Sequence, residues 1–265
     1  VKKHILIFDS GLGGTTVLEE IARRIPSSTY SYVMDNGAFP YGDKPNSYLE
    51  SRAIRLFSRL IPISQPDLVV IACNTASTLF LDTLRQQFDI PFVGVVPAIK
   101  PAAQITQSGV IGLLATKATI SRTYIENLHR QHAPDCTLAK LDGQALVTLA
   151  EQKMIYGESL QSSIDDVVKE IASKSNLLSI DTIVLGCTHF PAIREELING
   201  WPRTCQWLDS GAAIARRVET LLPQCAETTH HAEILFTTAP LIEWHQLLPL
   251  LRRYGISHHQ TIAID

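Results

Sequence analysis

The chain has 265 residues, 45% of them apolar, and a formal net charge of −3. That length suits one large globular domain or two modest ones, and the apolar content is ample for buried cores. The balance of charge excludes the basic field that nucleic acid or an anionic membrane would demand, and runs such as "LVVIA" and "FVGVV" are far shorter than a membrane span.

In chain order, "HILIF" (4–8) reads as a first buried strand, its four apolar residues too few for a signal-peptide core. "TTVLEEIARRI" follows, with apolar residues at 17, 18, 21, 22 and 25, one face of a helix. Further strands are predicted at "TYSYVM" (29–34), "DLVVIA" (67–72), "FVGVV" (92–96) and "VIGLLA" (110–115). "SIDDVVKEIASK" returns to helical spacing at 164, 167, 168, 171 and 172, before strands at "TIVLG" (182–186) and "EILFTT" (233–238). Strands alternating with helices predict an α/β fold of mainly parallel sheets flanked by helices. Ligands in such folds bind beyond the carboxyl ends of the strands.

The pattern is written twice. Cys73 stands six positions after Asp67, in "DLVVIACNTAS", and Cys187 six positions after Asp181, in "DTIVLGCTHF". "FDSGLGG" (8–14) has an echo in "LDSGAAIA" (208–215), and Thr116 follows "VIGLLA" as Asp9 follows "HILIF". Two similar α/β lobes are therefore expected, each with a cysteine at a strand end and an active site in the cleft between them. Pro97, Pro101 and the stretch "WPRTCQW" (201–207) mark the crossings. The first lobe is placed at residues 1–96 plus 208–265, the second at 97–207.

Five cysteines (73, 136, 187, 205, 225), with no close C-x-x-C pair and no export signal, read as reduced thiols in a cytoplasm. Zinc fits poorly, because Cys187 and His189 lack a second clustered pair to complete four ligands. Two thiols approaching one molecule from opposite sides suit a racemase that works without a cofactor. One group removes a proton from a stereocentre and the other delivers a proton to the opposite face. Cysteine, with an ordinary pKa near 8.5, can populate either form after modest tuning, and a helix N-terminus beyond each strand would help hold a thiolate. Asn74, Thr75 and Thr188 offer neutral donors, while Asp9 and His189 are titratable groups placed to serve one cysteine each.

Plainer readings compete. A single cysteine ending a buried strand is ordinarily packing, and Ser10 or Ser77 taken singly is an ordinary turn or cap residue. Asp9 could simply cap the following helix, and His189 could be a satisfied core or surface histidine. Cys136, Cys205 and Cys225 lack the repeated context and read as structural. A dinucleotide site is imitated by "GLGG" with Asp35 ending the second strand, but Thr16 occupies the place of the third glycine and Asp9 would repel a pyrophosphate.

Taken together, "FDSGLGG" (8–14), "PYGDKP" (40–45), "ACNTAS" (72–77), "GVVPAIKPA" (94–102), "GLLATKATI" (112–120), "LGCTHFP" (185–191) and "DSGAAIA" (209–215) resemble the glutamate racemase family, within the aspartate/glutamate racemase group. The resemblance implies interconversion of L- and D-glutamate without pyridoxal phosphate, metal or nucleotide, supplying D-glutamate for bacterial peptidoglycan, usually as a homodimer. It implies that Cys73 takes the proton from D-glutamate and Cys187 from L-glutamate, with Asp9 assisting the first and His189 the second. Glu151, in "LVTLAEQ", matches a family glutamate near the second cysteine. Asp9, Ser10, Tyr41, Gly42, Asn74, Thr75, Thr188 and His189 correspond to the substrate shell, with Thr116 and Thr119 added. Some relatives carry an extension before the first strand and respond to a peptidoglycan precursor; here the strand begins almost at residue 1, which puts that activator site in question. Aspartate racemase or a related carbon-acid isomerase is the nearest alternative, and a thiol redox or ligand-binding protein the more distant one.

Overall fold

A computed structural model describes residues 2–222 and 233–264. Cys225 lies outside the described residues. The chain divides into two units, one formed by Val1–Val95 with Gly211–Asp265 and the other by Val96–Ser210. The first unit begins β1 (His4–Asp9), α1 (Thr15–Arg24), β2 (Thr29–Met34), α2 (Asn46–Ser64), β3 (Leu68–Ile71), α3 (Asn74–Gln87) and β4 (Phe92–Gly94). The second holds α4 (Ile99–Ile105), β5 (Val110–Ala115), α5 (Lys117–Ile120), α6 (Thr123–His132), β6 (Thr137–Asp142), α7 (Gln144–Tyr156), α8 (Gln161–Lys174), β7 (Thr182–Leu185), α9 (Arg194–Gly200) and β8 (Gln206–Leu208). The first unit is completed by α10 (Gly211–Leu221), β9 (Ile234–Thr237), α11 (Trp244–Arg252) and β10 (His258–Thr261).

The first sheet runs β10-β9-β2-β1-β3-β4 and the second β6-β5-β7-β8, and every strand pair in both is parallel. The predicted α/β class with parallel sheets is what the chain adopts. Every residue of β1 is buried, as expected of a strand covered on both faces. Each apolar run predicted as a strand is one. Three strands lacked that signal: β6 "TLAKLD" and β10 "HHQT" sit at sheet edges and stay half-solvated, and β8 has three residues. Pro97 falls two residues past Val95, where the first stretch of the first unit ends. Pro101 lies in the first turn of α4, where a missing N–H costs no helical hydrogen bond.

Within each unit a central strand is flanked by the next two in sequence: β1 by β2 and β3, β5 by β6 and β7. The chain reverses direction of winding there, which is where parallel sheets open a crevice beyond their carboxyl ends. Phe8 pairs with Ile71, and Leu114 with Leu185, so Cys73 and Cys187 each lie two residues past the equivalent rung. The amides repeat the same pattern: Ala72 N–H donates to Phe8 O and Gly186 N–H to Leu114 O, both at 2.7 Å. This register makes Ala115, not Thr116, the equivalent of Asp9. Thr116 corresponds to Ser10, so the carboxylate of the first unit has no counterpart in the second.

The repeated aspartates act at the other end of the strands. Asp67 Oδ2 accepts from His4 N–H at the start of β1 (2.7 Å). Asp181 accepts from the Gln107 and Ser108 amides just before β5, each at 2.7 Å, and from the Thr106 hydroxyl at 2.6 Å. Burial alone would raise the Asp181 pKa, but these hydrogen bonds outweigh it and hold the carboxyl far below its ordinary value. Its contribution to stability is present above the ordinary carboxylate pKa, about 3.9, and is lost as the pH falls below it. Asp181→Asn is expected to lower the melting temperature at pH 7. The gap between mutant and parent should shrink steadily below about pH 4, as thermal melts across pH would show.

Candidate active site

In the first unit, β1 delivers Asp9 to the sheet's carboxyl edge, fully buried. Its Oδ1 accepts from Ser10 N–H at 2.7 Å and its Oδ2 from Gly14 N–H at 2.5 Å, so the glycine loop is wrapped onto this carboxylate. Two amides flanking the loop are thus taken by the chain's own carboxylate, which argues against the Rossmann imitation. Gly14 has to be glycine: a Cβ there would stand 2.8 Å from Asp9 Cβ and from Tyr32 Oη. Cys73, buried, occupies the N-cap of α3 with extended backbone (φ −101°, ψ 123°). Asn74 and Thr75, also buried, form the first turn of that helix, whose N-terminal end favours negative charge. Asn74 Oδ1 is buried with no hydrogen-bond partner among the described residues. Tyr41 and Gly42 lie on a short 3₁₀ turn, Tyr41–Asp43, with the Tyr41 ring packed against Phe8 and Phe80 at centroid distances of 6.1 and 6.4 Å. Cys73, Tyr41, Phe8 and Phe80 belong to one buried cluster.

The second unit solves the same problem differently. No α-helix starts at Cys187. Residues 187–189 form a turn, closed by Phe190 N–H to Cys187 O at 3.2 Å, and a 3₁₀ turn, Phe190–Ile193, precedes α9. The expected helix N-terminus beyond this strand is therefore absent, and a charged side chain stands in its place. His189, 2% exposed, sets Nδ1 3.8 Å from the Cys187 sulfur and Nε2 2.7 Å from Glu151 Oε2 on α7. Burial pushes the imidazole pKa down, yet hydrogen bonds with Cys187 and Glu151 outweigh it and hold the pKa well above the ordinary value. A protonated ring donates to both partners. Thr188 is buried in the same turn. Thr116 caps α5, its Oγ1 accepting from Thr119 N–H at 3.3 Å and lying 2.9 Å from Thr119 Oγ1.

The raised pKa gives the Glu151–His189 contact a pH signature. Its stabilisation is fully present below about pH 6.5, the ordinary histidine value, and is lost as the pH rises through the raised one. Nitrogen NMR of His189 is expected to show a ring that stays protonated to higher pH than an ordinary histidine. Glu151→Gln should bring the titration down, and its destabilisation should be larger at pH 6 than on the alkaline side.

A sequence model for Asp/Glu/hydantoin racemases matches residues 7–218. This chain belongs to that family. A glutamate racemase of Haemophilus ducreyi is 42% identical over 271 residues, covering all of both chains. Among solved structures, Escherichia coli glutamate racemase in complex with L-glutamate and the activator UDP-MurNAc-Ala aligns over the full length of both chains, with a TM-score of 0.91 and 39% identity. Glutamate racemase isoform RacE1 from Bacillus anthracis aligns over 99% of this chain and 97% of its own, with a TM-score of 0.78 and 25% identity.

Side by side with the family motif residues stands a group that sequence reasoning overlooked. Asp35, read there only as a dinucleotide imitation, is fully buried and held by Arg52, Tyr41 and Thr238. A signal for Arg52 was present: it interrupts the apolar face of α2 formed by Leu49, Ala53, Leu56 and Leu60. A charge on the buried stripe of a helix calls for a partner. Among the described residues, no three His, Cys, Asp or Glu side chains gather as a metal-binding group, and no helix is long and apolar enough to cross a membrane.

Proposed function

We propose that this chain is a glutamate racemase that interconverts L- and D-glutamate by a two-base proton transfer, with Cys73 serving one face of the α-carbon and Cys187 the other. The observation that carries the reading is the placement of the two thiols at equivalent strand ends, each two residues past the rung beside its unit's central strand. The full-length likeness to glutamate racemases supports glutamate as the substrate.

In the L-to-D direction the Cys187 thiolate takes the α-proton, leaving a near-planar carbanion, and the Cys73 thiol gives its proton to the opposite face. The reverse direction exchanges the roles, so each turnover uses one thiolate and one thiol. His189, held by Glu151, assists Cys187, while Asp9 assists Cys73. Substrate carboxylates are taken by neutral groups: the amides opening α3, with Ser10, Thr75, Thr116, Thr119 and Thr188 and the Tyr41–Gly42 turn. The buried Asn74 Oδ1, an acceptor without a protein donor, suits the substrate ammonium. D-Glutamate made in this way would supply peptidoglycan in a bacterial cytoplasm, with the chain working as a homodimer.

The test is a proton NMR time course of the protein with L-glutamate in heavy water, with no cofactor added and L-aspartate run in parallel. Loss of the α-proton signal together with appearance of D-glutamate is expected. Persistence of that signal, or faster turnover of aspartate, overturns the assignment.

A further inference from the structure

Asp35, a buried carboxylate of the first unit with several hydrogen-bond donors, is not used by the proposed chemistry. Asp35 leaves the end of β2, and its backbone N–H donates to Asp9 O at 3.0 Å. Arg52 Nε donates to Asp35 Oδ2 at 2.8 Å and Arg52 Nη2 to Oδ1 at 2.7 Å, a two-pronged pair with no exposure at the aspartate and 9% at the arginine. The Tyr41 hydroxyl donates to Oδ2 at 2.5 Å, and the Thr238 hydroxyl donates to Oδ1. Burial, then the Asp35 charge, raises the Tyr41 pKa well above its ordinary value, so the phenol remains a donor.

The same carboxylate therefore gathers three segments: α2 through Arg52, the 3₁₀ turn through Tyr41, and the segment after β9 through Thr238. Neighbouring bonds secure the last of these. Gly37 N–H donates to Thr238 Oγ1 at 3.0 Å, and Asn36 Oδ1 accepts from the Thr238 and Ala239 amides, each at 3.0 Å. Gly37 leaves room for the guanidinium, since a Cβ there would meet Arg52 Nη2 and Thr238 Oγ1 at 3.0 Å. A buried ion pair is seldom the most stable filling for such a space; apolar side chains of similar volume often do as well or better. What it provides is direction, because a planar fork on a carboxylate fixes both partners in angle as well as distance.

We propose that Asp35 and Arg52 are positioning residues: through Tyr41 and Thr238 their pair sets the Tyr41–Gly42 turn beside the strand ends that carry Asp9 and Cys73, and so sets the affinity for substrate. The proposal rests on the racemase reading, and it places the effect in binding rather than in proton transfer, because neither charged group is needed at the α-carbon.

Thr238→Val and Arg52→Lys test it without emptying the site. The first removes one hydroxyl that holds Asp35, and the second keeps the charge but loses the fork. KM for both enantiomers is expected to rise about 3- to 10-fold, the scale of losing one hydrogen bond, with kcat changed less than about 2-fold. Thr238→Ser, which keeps the hydroxyl, should restore the parent KM. Hydrogen exchange of amides 36–45 should quicken in Thr238→Val and Arg52→Lys. Folded variants with unchanged KM, or with the loss confined to kcat, overturn the proposal. Should the parent protein not turn over glutamate, the racemase reading falls. The exchange measurement then decides alone: faster exchange at 36–45 retains the positioning role, and unchanged exchange overturns it.

Discussion

Replacing either Cys73 or Cys187 with serine is expected to slow racemisation by about 10²- to 10⁴-fold, the range that a positioned acid or base contributes. Both substitutions keep the size and shape of side chains that are only 6% and 7% exposed, so the loss comes from proton affinity and not from repacking. A cysteine thiol with an ordinary pKa near 8.5 exchanges its proton within reach of neutral pH, while an alcohol holds its proton far more tightly. Each turnover needs a base on one side and an acid on the other, so either variant should fail in both directions. The measurement is the initial rate from L- and from D-glutamate, taken on variants whose circular dichroism matches the parent. A folded single variant at near-parental rate would sink the two-base mechanism.

Arg52→Ala carries the largest expected loss of stability, about 3–5 kcal/mol, because it leaves the Asp35 charge buried without its counterion. No such effect is expected from Arg24→Ala. Arg24 also pairs with a carboxylate, Glu219 at 2.6 Å, but the two side chains are 42% and 47% exposed. Water screens that pair, and such contacts contribute about 0–1 kcal/mol. Denaturant unfolding of the two variants side by side separates burial from mere pairing. An Arg52→Ala protein as stable as Arg24→Ala would show that Asp35 does not depend on Arg52 as its counterion.

The outcome differs between the two halves of the candidate site for a reason visible in the chain. In "CNTAS" the residues after Cys73 open a fourteen-residue helix, so Cys73 gains a helix N-terminus by sequence-local means. "CTHFPAI" does not, because Pro191 and the 3₁₀ turn interrupt it before α9 begins. The second unit recovers positive character at its thiol from His189, and His189 depends on Glu151, 38 positions away on α7. The cysteine and the histidine were legible from spacing. The link to Glu151 was reachable only through family resemblance until the fold brought the two residues to 2.7 Å.

By itself the sequence determined the α/β class, the central strands and the duplicated cysteine positions. The reason is that buried parallel strands are written as continuous apolar runs and their carboxyl ends as abrupt polar residues. It left β6 and β10 unannounced, because an edge strand half in water needs no apolar run. It also paired Thr116 with Asp9, one residue out of step, since counting along a chain does not show which rungs hydrogen-bond. Only the tertiary structure decided the register, the Glu151–His189 contact, and the union of Asp35, Arg52, Tyr41 and Thr238. Each of these joins side chains that are distant in sequence, and their energy comes from burial and direction, which local pattern does not encode.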